Sequence, residues 1–134
     1  MAGSLSTALH NKLLDHVFKT TPFPVPDNIY VALYSAAPNE AGGGTELTGN
    51  GYARTVHNSW DTGAGGHTEN TGVIVCPDAV GGNWLEAVAF GLFDAITGGT
   101  FLGWGLLAVP QTVNENGHAE FADGALDATM TPAA

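Results

Sequence analysis

The stretch IYVALYSAAPNEAGGGTELTGNGYAR, from Ile29 to Arg54, decides the fold of this 134-residue chain. It opens with Ile29, Val31 and Leu33 alternating with other residues, which is typical of a β-strand with a buried face. A polar loop with four glycines, residues 38–50, follows. A second alternating stretch then carries Arg54, the only arginine. A strand, a glycine-rich loop and another strand indicate β-structure.

Short strand patterns continue to the C-terminal end. They lie at 72–77, 84–94, 100–108, 111–113, 118–121 and 125–130. The turn DAITGG, residues 94–99, joins the longest candidate to the next one, because its aspartate and glycines suit a tight reversal. About eight short strands at near-regular spacing predict an all-β protein, either a sandwich or a barrel.

The N-terminal segment is the one convincing helix. Its apolar residues recur every four positions, at Leu5, Leu9, Leu13 and Val17, which predicts a helix over residues 4–19. Ser4 or Ser6 can cap its start. Three prolines in a connector, residues 20–27, end it. Such a helix either lies across the β-structure or docks on a neighbouring subunit.

Length and composition predict a single domain over residues 1–134, with the β-structure at 28–130. The formal charge is -10, from 13 acidic and 3 basic residues, so we expect no binding to nucleic acid or anionic membranes. Hydrophobic residues make up 44% of the chain, which argues against disorder. Only 12% of the residues are charged, and so weakly charged a surface suits docking to another protein.

The sequence contains no recognisable catalytic or cofactor motif. The five histidines lie apart, without the spacing of a metal site, and no phosphate loop or serine elbow occurs. We therefore expect no catalytic residues, no cofactor and no metal, and the chain is not expected to be an enzyme. Calcium held by Asp61 and Glu69 beside a glycine-rich loop is a minor alternative. Cys76 lies in an apolar stretch and is expected to be a buried thiol.

Arg54 and the aromatic residues have mainly structural interpretations. A lone arginine in an acidic protein is expected to pair with a carboxylate. The aromatic residues follow strand periodicity and are expected in the core, although they could also form a platform for stacking carbohydrate. Trp60, beside a glycine-rich loop, is the member expected to be exposed. The candidates are Trp60, Trp84, Trp104, Tyr30, Tyr34 and Tyr52.

Small residues mark one side of the strand candidate at 84–94. Larger residues are expected on the other side, at Val88, Phe90 and Leu92. Small side chains suggest the close approach of another layer or chain. Arginine at Ala89 is accordingly expected to abolish assembly and to leave the monomer folded. Together with the helix, the candidate interface consists of Leu5, Leu9, Leu13, Ala87, Ala89 and Gly91.

The order of the sequence blocks resembles a family of small tailed-phage virion proteins. The blocks are LxxxLLDHVF, PxxIYVALYSAAP, GTELTGNGYAR, FGLFDAITGGTFLGWGLL and QTVNENGHAEFADGALDATM. Members are often labelled tail fibre proteins, and some resemble capsid cement or decoration proteins. No block is a functional signature, so the resemblance carries over no catalytic residues.

The resemblance implies a jelly-roll-like antiparallel β-sandwich with a structural role. The expected protein is a homo-oligomer, a dimer or trimer, on the outer surface of the capsid. There it would bridge phage major capsid proteins and stabilise the assembled head. The alternative is a tail or fibre component that binds a host-surface glycan.

Overall fold

The computed structural model describes residues 3–130, and this part of the chain contains ten strands and one helix. The all-β class with an N-terminal helix is therefore confirmed. The elements are β1 (Gly3–Leu5), α1 (Thr7–Phe18), β2 (Tyr30–Ala36), β3 (Thr45–Glu46), β4 (Thr55–Val56), β5 (His67–Glu69), β6 (Ile74–Val75), β7 (Ala87–Phe93), β8 (Phe101–Gln111), β9 (Glu120–Phe121) and β10 (Asp127–Thr129).

Eight of the strands form one mixed sheet in the order β3-β2-β7-β8-β1-β10-β5, with β4 also paired to β2. The strands β6 and β9 form a separate two-stranded ribbon. The pair β1–β10 is parallel and the other pairs are antiparallel, so the sheet is mixed, where the sequence analysis expected antiparallel strands. The jelly-roll sandwich is not confirmed, because the pairings give one large sheet and a ribbon.

The sequence analysis missed three strands, namely β1, β3, which lies in the predicted loop 38–50, and β5, for which no strand was predicted. Residues 3–5 pair with β8, with Ser4 opposite Trp104 and Leu5 opposite Gly103. A methyl group at Gly103 would lie 2.8 Å from the Ser4 carbonyl oxygen, so this glycine lets β1 approach. The helix consequently begins at Thr7, after the cap residue Ser6, and the predicted start at residue 4 is wrong.

The core lies on both faces of the neighbouring strands β2 and β7. Val31 and Leu33 of β2 pack with Phe90 of β7 in the larger cluster, to which the ribbon contributes Ile74 and Phe121. The second cluster, on the other face, consists of Ala32, Tyr34, Ala89 and Phe93. Burial on both faces explains why β2 has four consecutive buried residues where a one-sided alternation was expected.

The small residues of β7 lie inside the chain. Ala89 is fully buried against Tyr34 and Phe93, and a methyl group at Gly91 would lie 2.7 Å from Tyr34 Cε1. Ala87 belongs to the opposite cluster, because the pairing of β7 with β8 shifts register between Ala87 and Ala89. The chain's own aromatic rings thus lie against Ala89 and Gly91, and the three small residues Ala87, Ala89 and Gly91 do not share one face.

Within residues 3–130, no helix has the length and apolar character needed to span a membrane. The single helix, Thr7–Phe18, has 12 residues, whereas a span requires about 20.

Candidate functional site: the helix surface and the charged clusters

The start of α1 is fixed to the sheet by Ser6, which is fully buried. The Ser6 hydroxyl accepts a hydrogen bond from the Leu9 N–H (3.0 Å) and donates one to the Phe101 carbonyl oxygen. The Ser6 N–H also donates to the Leu102 carbonyl oxygen (2.8 Å). This cap satisfies helix donors and joins α1 to β8 at the same time, so the N-terminal turn cannot detach without losing several buried hydrogen bonds.

The connector folds back on the last turn of α1. The N–H groups of Lys19 and Thr21 donate to the Asp15 carbonyl oxygen, at 2.9 and 3.1 Å. The Phe23 N–H donates to His16 Nδ1 (3.0 Å), and the Phe23 ring packs partly against the core. Both ends of the helix are thus held by the chain itself, and its outward surface has a fixed position.

The outward surface of α1 carries an apolar patch, which we define as Leu14, Val17 and Phe18. Their exposed fractions are 54%, 65% and 78%. Residues at i, i+3 and i+4 are neighbours on one helix face, so the three side chains are contiguous. No residue of α1 is buried. Adjacent exposed large apolar side chains, fixed in position, are typical of a surface that another protein covers.

Charge is distributed unevenly between α1 and the rest of the protein. Lys12 and Lys19 lie on or next to the helix, where Asp15 is the one carboxylate. Residues 28–130, which we call the body, carry eleven carboxylates and a single cation, Arg54. The helix therefore bears a small positive charge on an otherwise strongly acidic molecule.

The interface residues predicted in the helix region lie on the inner side of the apolar patch. Leu9 packs partly against the core, and Leu13 is half-buried. Leu5 belongs to β1 and is also half-buried. The apolar patch consists of Val17, the last residue of the predicted stripe, and of Leu14 and Phe18, which lie beside that stripe. The interface role of Leu5, Leu9, Leu13, Ala87, Ala89 and Gly91 stays a prediction, because no partner chain is present to test it.

Arg54 pairs with a carboxylate, as the sequence predicted. Its Nε and Nη2 donate to the two carboxylate oxygens of Glu46, both at 2.9 Å. Its Nη1 donates to the carbonyl oxygens of Ala95 (2.9 Å) and Gly98 (2.8 Å), in the turn after β7. The guanidinium carbon also lies 3.6 Å from the centre of the Phe93 ring. One side chain thus joins the β3–β4 region to the β7–β8 turn.

Tyr52 is a second side chain that donates to Glu46, beside Arg54. Burial raises the pKa of the Tyr52 phenol, which stays protonated and donates to Glu46 Oε2 (2.8 Å). The Tyr52 hydroxyl oxygen in turn accepts a hydrogen bond from the Leu33 N–H (3.0 Å). A groove of about 450 Å³ runs beside Glu46, Tyr52 and Arg54. Because Glu46 neutralises the guanidinium, the groove presents no unpaired cation to an anionic ligand, and Arg54 is best interpreted as a structural residue.

The aromatic residues proposed as a glycan platform are all buried or half-buried. Trp84 is buried, with its indole N–H donating to the Asn50 carbonyl oxygen (2.8 Å). Trp60, the predicted exception, packs against the core and donates to the His57 carbonyl oxygen (2.8 Å). Stacking a sugar needs an accessible ring face, so these contacts favour the core interpretation.

Asp61 and Glu69, the minor calcium alternative, are joined through the backbone, where the Asp61 N–H donates to the Glu69 carbonyl oxygen (2.9 Å). Asp61 Oδ1 accepts a hydrogen bond from Thr71 Oγ1 (2.5 Å). Glu69 lies instead beside His67 and Asp127. Cys76 is buried as expected, and burial raises the pKa of its thiol. Its thiolate form is thereby disfavoured, in keeping with a structural role.

His118 lies between two carboxylates on the surface. Its Nδ1 is 3.0 Å from Asp78 Oδ1, and its Nε2 is 3.1 Å from Glu120 Oε1. Hydrogen bonds to Glu120 and then to Asp78 raise the pKa of His118 above 6.5. A protonated imidazole can donate to both carboxylates, whereas a neutral one can donate to only one.

We expect His118 to stabilise the protein mainly at mildly acid pH. Because its pKa is raised on folding, its contribution is fully present below the unfolded value and is lost as the pH rises through the folded value. Replacement His118→Gln should therefore lower the free energy of unfolding at about pH 5.5 and change it little at about pH 8.5. Denaturation at both pH values, with His10→Gln as control, measures this. Equal losses at both pH values would contradict it.

Comparison with known proteins identifies a family. A protein-family model described as "Podophage GP4 fiber I protein gp80" matches residues 4–129. The matched region begins in β1, includes α1, and ends in β10. A search of curated proteins finds no match to the chain.

Proposed function

The chain belongs to the podophage GP4 fiber I protein family and is a phage structural protein; on this premise we propose that it is a fibre subunit that binds a second copy through α1. The single observation that carries the contact is the apolar patch, which is fixed in position and left exposed. The family description favours a fibre over the capsid-decoration role inferred from the sequence.

The distribution of charge favours a second copy of the chain as the partner that covers the apolar patch. The helix carries Lys12 and Lys19, and the body of every copy is strongly acidic. An interface between two α1 helices would bring like charges together, which weakens association. A contact between α1 of one copy and the body of the next combines apolar burial with attraction between opposite charges.

Such a contact is heterologous, because different surfaces of the two copies meet. Heterologous contacts close into a ring when the rotation between copies allows it and otherwise continue as a filament. A closed trimer and an elongated stack both follow from this rule, and both suit a fibre. The homo-oligomer expected from the sequence is thereby given a specific contact surface.

The first test is the replacement Val17→Asp in the apolar patch. We expect the wild-type protein to self-associate and the variant to have a dissociation constant at least about tenfold higher. Losing the burial of one valine removes about 1.5 kcal/mol, and a tenfold change corresponds to about 1.4 kcal/mol. Sedimentation velocity over a concentration series, at low and moderate salt, measures the association.

The matched control is Leu85→Asp, because Leu85 is 69% exposed and lies just before β7, outside the patch. It adds the same charge to a similarly exposed apolar site. A monomeric wild-type protein at every concentration would overturn the proposed contact. So would an equal loss of association in both variants, since the loss would then reflect added charge alone.

The second test separates the fibre from the capsid-decoration role. Antibody labelling of virions, combined with the copy number relative to the major capsid protein, locates the protein. Labelled appendages with a low copy number support the fibre subunit. Uniform labelling of the head with hundreds of copies would overturn it in favour of a decoration protein that bridges major capsid proteins.

A further inference from the structure

We propose that His67, Glu69 and Asp127 form a binding site for a divalent transition-metal ion, which we call the β5–β10 site. Each residue can offer one ligand atom such that all three atoms lie within 4.8 Å of one another. His67 Nε2 is 3.7 Å from Glu69 Oε2, and His67 Nδ1 is 4.0 Å from Asp127 Oδ2. The site shares no residue with the apolar patch and does not depend on the proposed assembly.

Strand pairing brings the three side chains to one face. In the antiparallel pair β5–β10, Asp127 is opposite Glu69, and Thr129 is opposite His67. Hydrogen bonds join the neighbouring pairs, from the Asn70 N–H to the Leu126 carbonyl oxygen and from the Met130 N–H to the Gly66 carbonyl oxygen. Asp127 and Glu69 therefore occupy a non-hydrogen-bonded pair, in which opposed side chains lie closest.

This placement sets two carboxylates directly opposite each other, with the imidazole of His67 within 4.0 Å of both. A metal ion would neutralise both carboxylates, and a neutral imidazole can bind it as the third ligand.

The backbone around the site is held rigidly. Asn70, which directly follows β5, is fully buried, and its side-chain amide donates to the carbonyl oxygens of Gly72 (2.8 Å) and Ala122 (3.0 Å). Its Oδ1 accepts the Leu126 N–H (2.9 Å), next to β10. At Gly124, a methyl group would lie 3.2 Å from Glu69 Oε1, so the glycine leaves room for that carboxylate. Ligands on a rigid scaffold favour specific metal binding.

The ligand types indicate which ions would bind. One imidazole and two carboxylates suit zinc and related transition ions, whereas calcium and magnesium favour sites built from oxygen alone. Ligand atoms around tetrahedral zinc lie about 3.4 Å apart, at bond lengths of about 2.1 Å. The His67 and Glu69 side chains are 40% and 36% exposed, which leaves them room to rotate toward that separation. Three protein ligands leave one position for water.

The experiment is a zinc titration of the chelator-treated full chain by calorimetry, with thermal unfolding measured in parallel. We expect one bound ion per chain and a raised unfolding temperature. The variants His67→Gln and Glu69→Gln should each weaken zinc binding at least about tenfold, which is about 1.4 kcal/mol. Circular dichroism of both variants checks the fold, and calcium is titrated for comparison.

The matched control is His118→Gln, because His118 also lies between an aspartate and a glutamate on the surface. It should leave zinc binding unchanged. No saturable zinc binding by the wild-type chain would overturn the proposal. So would equal affinities in the wild-type chain and the His67→Gln and Glu69→Gln variants, or a loss of binding in His118→Gln alone. A calcium affinity as high as that for zinc would overturn the assignment to a transition-metal ion.

Discussion

Replacing Arg54 by alanine is expected to lower the free energy of unfolding by about 3 kcal/mol. Breaking a buried ion pair by removing one partner costs about 3–5 kcal/mol, because the remaining charge loses its partner without regaining water. The Arg54 side chain is 8% exposed and that of Glu46 is 24% exposed, so water partly relieves Glu46 in the variant. The lower end of the range is therefore expected.

The replacement Arg54→Ala also removes contacts of the guanidinium other than the ion pair with Glu46. In the variant, the carbonyl oxygens of Ala95 and Gly98 lose their donor, and the Phe93 ring loses the cation stacked on it. An unmade buried hydrogen bond costs about 1 kcal/mol or more, which applies to the half-buried Ala95 carbonyl, whereas water can bind the exposed Gly98 carbonyl. Arg54→Lys should recover little of the loss, because an ammonium cannot reproduce the two parallel hydrogen bonds to Glu46.

Urea denaturation of four proteins tests this prediction: the wild type, Arg54→Ala, Glu46→Gln and the double variant. A coupling energy of at least about 1 kcal/mol between the two positions is expected for residues in direct contact. Lys12→Ala is the matched control, since Lys12 is an exposed cation and its loss should change stability by about 0.5 kcal/mol or less. A loss in Arg54→Ala no larger than in this control would contradict the structural role.

The sequence predicted local features better than long-range ones. Alternation in residues 29–34 located β2, and proline residues located the end of α1, because both signals are local. Strand β1 could not be found in this way, since its three residues become a strand only by pairing with β8 and β10. The same residues were assigned to the helix because Leu5 continues its apolar spacing.

The partners within the charged clusters also depend on long-range pairing, so the sequence predicted them only in part. The composition predicted that Arg54 would have a carboxylate partner, but only the fold selects Glu46 among the 13 carboxylates. His67 and Glu69 share a strand face two residues apart, a signal that could have been noticed. Asp127 joins them only through the β5–β10 pairing, so three ligands could not be recognised from spacing alone.

The replacement Ala89→Arg is expected to unfold the monomer, contrary to what the sequence indicated. Ala89 is fully buried and packs with Tyr34 and Phe93, so a longer side chain there would overpack both rings. Overpacking costs about 1–3 kcal/mol, and an unpaired buried charge costs several more. Since a domain of this kind has a total stability of about 5–15 kcal/mol, most of it would be lost.

Circular dichroism and thermal unfolding of purified Ala89→Arg measure the loss of stability. Leu85→Arg is the control, because it places the same side chain at an exposed position of the same region. The control should keep the wild-type unfolding temperature to within a few degrees. A folded Ala89→Arg monomer with wild-type stability would mean that Tyr34 and Phe93 can leave this face and open it to a partner. If the variant unfolds, its failure to assemble carries no information about an interface. Only a surface substitution that spares the fold, such as Val17→Asp, can then distinguish assembly from folding.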